Sequence, residues 1–408
     1  MQRKHPVNPL RRNTATLSSC NLVTLFLRSA GAQASKLGLL CCLVTLLPCI
    51  LALPLHAQTL PTDGELTLRP ILQQLGQRLL NGKNGSIVAI RPETGEVICL
   101  ATNSDHGFDT GMAIAKAYAP GSTFKTAQAL AMLTEGAISP ETTIECNNGF
   151  TDGNIHVGCH AHATPLALRS ALAVSCNTWF LTTFMSMIND RFMYESQDEA
   201  ITTWNRHIRS LGLGGPLGID IEGEKGGLVA NANYLARRYK DGWDGRTILW
   251  AGMGQGDITV TPLQLANLAA VIANRGFFYT PHVHKPTAER PLPQRYLTRR
   301  NSTIAPEAFQ PVVEGMRRAV ERGTCKSINT TYPICGKTGT VENAGRDHSA
   351  FIGFAPMNNP QIAIAVYIEH GGFGADMAAP IASLIIEAYL RGKLSQQSEA
   401  LARQLERK

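Results

Sequence analysis

The chain has 408 residues, of which 44% are apolar and 17% are charged. This composition supports a buried core and excludes an intrinsically disordered protein. The formal net charge of +7 suggests nucleic acid or a membrane surface as a partner. However, six basic residues and no acidic residue lie in residues 1–62, which leaves 32 basic and 31 acidic residues in the remainder. We therefore expect no nucleic-acid partner.

The N-terminal region has the pattern of an export segment. Residues 1–36 are basic, and residues 37–57 begin with 19 uncharged residues, LGLLCCLVTLLPCILALPL. A basic flank before an apolar run is typical of a secretory signal or an N-terminal membrane anchor. Nineteen residues just span a bilayer, whereas the two prolines and the Leu55-His56-Ala57 ending favour cleavage after Ala57. Both alternatives predict a periplasmic protein, either anchored in the inner membrane or released.

The exported part begins with an amphipathic helix, predicted over residues 66–80. Two apolar segments follow and are separated by the turn signal PETG, so we predict a hairpin. Three strands and a largely buried helix are predicted near the C-terminus. The predicted hairpin strands are 86–91 and 97–101, the later strands are 335–341, 350–355 and 361–368, and the late helix is 377–390.

This arrangement predicts an α+β domain. Strands occur at both ends of the chain, and the middle (about 115–275) is mainly helical. Such an order indicates one sheet assembled from both chain ends, with a helical insertion. The domain is expected to cover residues 66–392, and residues 393–408 are expected to form a polar tail with helical propensity.

The first segment with catalytic potential is Pro120-Gly121-Ser122-Thr123-Phe124-Lys125, at the start of a helix predicted to end near residue 135. Ser122 and Lys125 are three positions apart and share a helix face. A serine hydroxyl needs a base to become a nucleophile, and a desolvated lysine has a lowered pKa and can be that base. Because S-x-x-K occurs by chance about once in such a chain, an ordinary surface helix remains an alternative at this point.

Two further motifs follow in chain order. They are Ser175-Cys176-Asn177 and, at the start of a predicted strand, Lys337-Thr338-Gly339-Thr340. Alone, the first could be a helix cap and the second an edge strand. S-x-x-K, S-x-N and K-T-G in this order are the signature of penicillin-recognising serine acyltransferases. Over residues 66–392 the chain therefore resembles the transpeptidase domain of penicillin-binding proteins.

Other segments extend this resemblance. Residues 86–96 look like the first hairpin of such a domain, and 254–256 with 261–266 look like the segment between the second and third motifs. Residues 348–356 look like the strand after K-T-G. The chain most resembles class B, elongation-type penicillin-binding protein 2, in a Bacteroidetes-like version. This resemblance implies a central antiparallel sheet flanked by helices, with an all-helical subdomain.

The resemblance also implies a D,D-transpeptidase that cross-links D-Ala-D-Ala stem peptides of peptidoglycan. Ser122 would form the acyl-enzyme, and Lys125 would be its base. Ser175 would relay the proton to the leaving group. A β-lactam would mimic the donor peptide and block Ser122. No cofactor would be needed for catalysis.

The remaining motif residues would bind the donor peptide. Asn177 would hold the substrate amide, and Lys337 and Thr338 would bind the donor carboxylate, with Gly339 completing the motif. The backbone N–H groups of Ser122 and Thr340 would form the oxyanion hole.

The same motifs leave other activities open. A D,D-carboxypeptidase differs only in its acceptor, which is water instead of an amine. A β-lactamase or β-lactam sensor is disfavoured by the 162 positions between Ser175 and Lys337 and by the lack of a class A-type E-x-x-x-N segment after Asn177. A non-catalytic paralogue is a further alternative.

The spacing before the first motif bears on partners. Class B proteins usually carry a pedestal domain between the anchor and the catalytic domain, but Gln58 and Ser122 are only 64 positions apart. This spacing puts two partners in doubt, the polymerising glycosyltransferase and the rod-complex scaffold.

A second candidate site surrounds the S-x-N motif. Cys146, Cys176 and the run Cys159-His160-Ala161-His162 are rich in metal-binding side chains. Three thiolates and one imidazole suit a tetrahedral zinc ion, and we prefer His162 to His160 as the fourth ligand. A Cys146–Cys159 disulfide and free thiols are the alternatives. Because some elongation-type relatives hold zinc beside this motif with a different ligand set, the resemblance is compatible with a structural zinc that braces the S-x-N loop.

Overall fold

The computed structural model of the protein describes residues 64–328 and 331–408. The predicted basic segment 1–36 and apolar segment 37–57 lie outside the described residues. Among the helices of the described ranges, none is long and apolar enough to cross a membrane.

The strands form one five-stranded sheet and three two-stranded sheets. In chain order they are β1 (Gly85–Ile90), β2 (Val97–Asn103), β3 (Gly149–Asp152), β4 (Ile155–Gly158), β5 (Leu228–Val229), β6 (Ile258–Thr259), β7 (Phe277–Tyr279), β8 (Arg299–Asn301), β9 (Cys335–Val341), β10 (His348–Ala355) and β11 (Ile362–Ile368).

The helices lie mainly between β2 and β9. In chain order they are α1 (Pro70–Leu80), α2 (Gly111–Ile114), α3 (Lys125–Thr134), α4 (Leu168–Val174), α5 (Asn177–Asn189), α6 (Gln197–Ser210), α7 (Ala232–Arg238), α8 (Pro262–Ala273), α9 (Gln294–Leu297), α10 (Phe309–Arg322), α11 (Ala378–Arg391) and α12 (Gln396–Glu406). Short 3₁₀ turns cover Gly121–Phe124, Leu249–Met253 and Pro306–Ala308.

The central sheet confirms that both chain ends build one antiparallel sheet. Its order is β2-β1-β11-β10-β9, and every neighbouring pair is antiparallel. The predicted hairpin joins β1 to β2 through a turn in which Gly95 has a φ of +78°. Strand β1 then pairs with β11, with Val88 opposite Ala365. Because both faces of the sheet are covered, its inner strands are continuous apolar runs.

Helices from both chain ends cover one face of the sheet. Helix α1 starts at Pro70, whose fixed φ suits the first helical position, and not at residue 66 as predicted. Leu66 instead forms a β-bridge with His284. The expected helical propensity of residues 393–408 is confirmed by α12, but this segment packs on the domain, because Ala402 and Leu405 are buried in the same core as α1 and α11.

Helix α8 packs against β1, β10 and β11 and covers the other face. Thr261 and Gln264 form a capping box at its start, with Pro262 as the first helical residue. All of its residues are buried. The helical subdomain is built around α3, which contacts α4, α5 and α6, and α5 also contacts α6. The turn Gly121–Phe124 packs against β9 and so places the first predicted motif at the junction between sheet and subdomain.

Candidate active site

The Ser122 turn is held between the sheet and the 249–256 segment. It is a 3₁₀ turn, Gly121–Phe124, that leads directly into α3 at Lys125. The N–H of Gly121 donates to the carbonyl oxygen of Gly254 over 2.8 Å. On the other side, a Cβ at Gly339 would lie 3.1 Å from Cγ2 of Thr123. Glycine in the middle of K-T-G therefore permits the close approach of the turn to β9.

Lys125 lies beneath the turn and has no exposed surface. Its Nζ donates to the carbonyl oxygen of Ser175 over 2.9 Å and to Oδ1 of Asn177 over 2.6 Å, and Oγ of Ser175 is 3.4 Å away. Burial and, second, the positive charge of Lys337 lower the pKa of Lys125 to about 7. In its neutral form the amine can donate to both carbonyl oxygens and keep a lone pair for a hydroxyl proton.

The S-x-N motif is the junction between two helices. Helix α4 ends at Val174 and is followed by Ser175, whose φ of +58° is uncommon for a residue with a side chain. Helix α5 begins at Asn177. Cys176 caps α5, because its Sγ accepts from the N–H of Trp179. Nδ2 of Asn177 donates to the carbonyl oxygen of Gly158 over 2.8 Å. This strained junction brings both outer residues of the motif to Lys125.

The K-T-G motif lies on β9, an edge strand of the central sheet. Lys337 is fully buried, and its Nζ donates to the carbonyl oxygen of Thr338 over 2.9 Å. Burial lowers the pKa of Lys337 to about 8. The hydroxyl of Thr338 donates to that of Thr324 over 2.7 Å. Lys337 therefore lies behind the strand, while Thr338 and Thr340 line the surface in front of it.

These elements surround a cleft of about 640 Å³. Five predicted catalytic residues and the predicted metal ligand Cys159 line it, and Lys125 and Lys337 lie beneath its surface. Among the lining residues that sequence reasoning did not assign are Thr324, Gln255, Phe373 and Asp376. Gln255 belongs to the G-Q-G segment, which carried a signal through its resemblance, whereas Thr324 lies in a turn with no motif. The predicted catalytic residues that line the cleft are Ser122, Ser175, Asn177, Thr338 and Thr340.

The four predicted metal ligands also come together beside this cleft. The ligand atoms of Cys146, Cys159, His162 and Cys176 all lie within 4.8 Å of one another. Sγ of Cys159 is 3.9 Å from Sγ of Cys176, close to the separation of about 3.8 Å expected for two sulfurs on a tetrahedral zinc. Among the cysteines of the described ranges, none forms a disulfide.

The His162 imidazole and the Cys159 sulfur are also in chemical states that suit a metal ion. Nδ1 of His162 is 2.9 Å from the carbonyl oxygen of Ala163, and its Nε2 is buried without a hydrogen-bond partner among the described residues. When Nδ1 carries the ring proton and donates it to this carbonyl oxygen, Nε2 keeps a lone pair that can bind a metal ion. Hydrogen bonds from the thiol of Cys176 and, more weakly, from Thr178 lower the pKa of Cys159. A sulfur in this environment suits a thiolate ligand.

Comparison with known proteins identifies the family and the fold. The family profile described as "Penicillin binding protein transpeptidase domain" matches residues 85–387, a range that includes all three motifs. The chain belongs to the penicillin-binding protein transpeptidase family. The predicted family membership is thus confirmed, while the Bacteroidetes-like character stays a prediction.

Curated relatives in this penicillin-binding protein family carry the name peptidoglycan D,D-transpeptidase MrdA. The protein from Acinetobacter baumannii is 30% identical over 376 residues, which are 79% of this chain and 54% of that one. The protein from Haemophilus influenzae is 27% identical over 385 residues, or 81% and 56% of the two chains. The chain thus spans about half the length of the curated relatives it matches.

Solved penicillin-binding protein structures share the fold. The crystal structure of Pseudomonas aeruginosa PBP2 in complex with WCK 5153 superimposes with a TM-score of 0.71 at 28% identity and covers 81% of this chain and 77% of that one. A complex of PBP2 and MreC from Helicobacter pylori gives a TM-score of 0.69 at 22% identity and covers 81% of this chain and 64% of that one. The predicted α+β transpeptidase fold is confirmed.

Proposed function

We propose that the protein is a peptidoglycan D,D-transpeptidase that acts through an acyl-enzyme on Ser122. The observation that carries this proposal is the position of Lys125. Its amine is desolvated, lies beneath the cleft that Ser122 lines, and contacts both Ser175 and Asn177. A surface lysine of a chance S-x-x-K sequence would have none of these features.

Acylation follows from this geometry. Neutral Lys125 takes the hydroxyl proton of Ser122 as the oxygen attacks the penultimate D-Ala carbonyl. The hydroxyl of Ser175, near the Lys125 amine, passes its proton to the nitrogen of the terminal D-Ala as the amide bond breaks, and takes in its place the proton that Lys125 removed from Ser122. Backbone N–H groups of Ser122 and Thr340 stabilise the developing oxyanion.

The donor peptide is bound along β9. As an edge strand, β9 offers free backbone groups to an extended peptide. The hydroxyl groups of Thr338 and Thr340 face the cleft and can donate hydrogen bonds to the peptide's terminal carboxylate. The ammonium of Lys337 behind them supplies positive charge at a buried position. An amine from a second stem peptide then takes the acyl group and frees Ser122.

Labelling with a fluorescent penicillin tests the proposal. The wild type should form a stable covalent adduct, and S122A should form none because the other hydroxyl of the turn, that of Thr123, is buried and donates to the carbonyl oxygen of Pro120. S196A is a matched control, since Ser196 is a helix-capping serine outside the cleft. An unlabelled wild type would refute the enzymatic proposal, and rapid release of the label would indicate a β-lactamase instead.

We further propose that the domain works on the exported side of the inner membrane. The support is the charge pattern of residues 1–62, with basic residues before an apolar run and no acidic residue. Protease added to intact spheroplasts should degrade the domain. Protection of the domain under these conditions, with degradation after lysis, would contradict an exported location.

A third proposal concerns the cluster beside S-x-N, which we assign to a structural zinc ion. Cys146, Cys159, His162 and Cys176 would hold it, and four protein ligands leave no position for a substrate. When bound, the ion supplies a rigid cross-link and no catalytic chemistry. The chain's own contribution is the N–H donation from Asn177 and Thr178 to Sγ of Cys159, which ties the ligand to the start of α5.

Metal analysis of protein purified without chelator checks this assignment. We expect about one zinc per chain, and H162A should lose most of it. H156A is the matched control, because His156 is exposed on the neighbouring β4 and is absent from the ligand cluster. A mass map with a Cys146–Cys159 cross-link in the protein as purified would refute the zinc assignment.

A further inference from the structure

Two sulfurs of the cluster lie close enough to react with each other. Sγ of Cys159 is 3.9 Å from Sγ of Cys176, and a disulfide needs about 2 Å. Cys159 is partly exposed and lines the catalytic cleft, whereas Cys176 is buried directly behind it. An oxidant in the cleft therefore meets Cys159 first, with a second thiol next to it.

From this arrangement we infer that Cys159 and Cys176 are an oxidisable pair whose disulfide disables the S-x-N motif. The oxidant is a small-molecule or protein disulfide. The sulfur of Cys159 attacks one sulfur of that disulfide and releases the first thiol. The sulfur of Cys176 then attacks Cys159 and releases the second thiol. Two protein thiols are oxidised, one external disulfide is reduced to two thiols, and the two protein protons end on those thiols.

The bond would alter the catalytic residues because Cys176 lies between them in the chain. The sulfur of Cys159 or Cys176 must move, and Cys176 carries Ser175 and Asn177 with it. Lys125 holds both of these residues over 2.9 Å and 2.6 Å. Sγ of Cys159 also accepts from the N–H of Asn177 over 3.1 Å. A shift of about 1 Å in a catalytic group is enough to slow a reaction about a hundredfold.

The metal-ligand cluster determines when this reaction can occur. A sulfur bound to a metal shares an electron pair with the ion and attacks a disulfide more slowly than a free thiolate, so a loaded site protects both cysteines. Loss of the metal leaves them as free thiols, and an exported protein meets an oxidising compartment. The fold thus couples metal content to the state of the active site. This inference rests on the proposed zinc site for its control and on the proposed transpeptidase function for its effect on acylation, while the cross-link itself is measured separately.

Oxidised glutathione is a suitable probe for the purified full chain, with and without prior treatment with a zinc chelator. Peptide mass mapping after alkylation of free thiols detects the cross-link, and fluorescent penicillin measures the acylation rate. After chelation we expect a Cys159–Cys176 disulfide and an acylation rate at least tenfold lower, both reversed by dithiothreitol. Zinc-loaded protein should resist both changes.

Variants separate the pair from the other thiols. C146A removes one ligand but keeps the pair, so it should form the disulfide without chelator. C159A should form no cross-link, and C99A, a buried thiol on β2, should behave like the wild type. A product linking Cys146, a stable glutathione adduct without a cross-link, or full acylation of the cross-linked protein would overturn the inference. An unlabelled but reduced wild type would instead refute the transpeptidase proposal.

Discussion

Two buried lysines belong to one electrostatic unit at the centre of the proposed mechanism. Lys125 must be neutral to act as a base, and Lys337 must be charged to attract a carboxylate. Both are fully buried, which lowers both pKa values, and the charge of Lys337 lowers the pKa of Lys125 further to about 7. Burial and mutual repulsion thus prepare the base, while Lys337, with a pKa of about 8, keeps its charge at neutral pH.

The acylation rate should therefore have a bell-shaped pH dependence. The rate rises through about pH 7 as Lys125 loses its proton and falls above about pH 8 as Lys337 loses its charge. In K337M the repulsion is removed, so the pKa of Lys125 and the rising limb move to higher pH, and the falling limb disappears. K83M is the control, since Lys83 is a buried lysine outside the cleft. An unshifted rising limb in K337M would contradict the coupling.

Thr324 is expected to position Thr338 for substrate binding. Their hydroxyl groups are 2.7 Å apart, and the loss of one such hydrogen bond costs about 1 kcal/mol. T324V should therefore raise the half-saturating penicillin concentration about fivefold and change the saturated acylation rate less. T324S should restore wild-type binding. T298V, which loses a surface hydrogen bond, is the control, and equal effects of T298V and T324V would contradict a positioning role.

At the scale of elements, the site depends on backbone approaches that only glycine permits. The turn carrying Ser122 lies between two backbone segments. One is β9 at Gly339, and the other is Gly254, which directly follows the 3₁₀ segment Leu249–Met253. Gly254 has a φ of +80°, and a Cβ there would lie 2.3 Å from the carbonyl oxygen of Gly121. The segment between the second and third motifs thus acts as a backbone support for the nucleophile.

G254A should displace the Ser122 turn by about 1 Å, since ordinary contact distances exceed 3 Å, and slow acylation about a hundredfold. G242A is the matched control, because Gly242 has a φ of +98° but no atom within 4 Å of an added Cβ. Both variants carry the strain of a left-handed alanine, but only G254A adds a clash. Similar acylation rates in the two variants, measured with fluorescent penicillin, would contradict the support role.

The sequence predicted the elements better than it predicted their contacts. The predicted strand 335–341 agrees with β9 in both bounds. The predicted strand 361–368 differs from β11 by only one residue at its start, because an apolar run buried on both faces leaves a local signal. The three motifs were predictable because each has a local pattern. The contact of Gly254 with Gly121 and that of Thr324 with Thr338 join distant positions through space, and no local periodicity records them.

At the scale of the whole molecule, the two ends of the described chain meet on one face of the sheet. Helices α1 and α12 contact each other, and Arg78 bonds to Glu399 and Glu406 over 2.9 Å and 2.7 Å. These surface ion pairs contribute little to stability. The apolar contact matters more, since Leu405 and Ala402 enter the core that underlies the catalytic sheet. A segment with so few apolar residues gives a weak sequence signal, which is why it was predicted as a polar tail.

This packing implies that α12 contributes to the stability of the catalytic domain. Leu405 is 1% exposed, so L405A should lower the free energy of unfolding by about 2–5 kcal/mol through lost contacts and a residual cavity. R403A is the matched control, because Arg403 lies on the exposed side of the same helix and a surface substitution changes stability by less than about 0.5 kcal/mol. Urea unfolding measures the stability of both variants.

Below its unfolding transition, L405A should keep wild-type penicillin labelling, since Leu405 is absent from the cleft lining. Equal stability of the two variants would show that α12 is dispensable for the fold, whereas loss of labelling in folded L405A would place its effect at the active site.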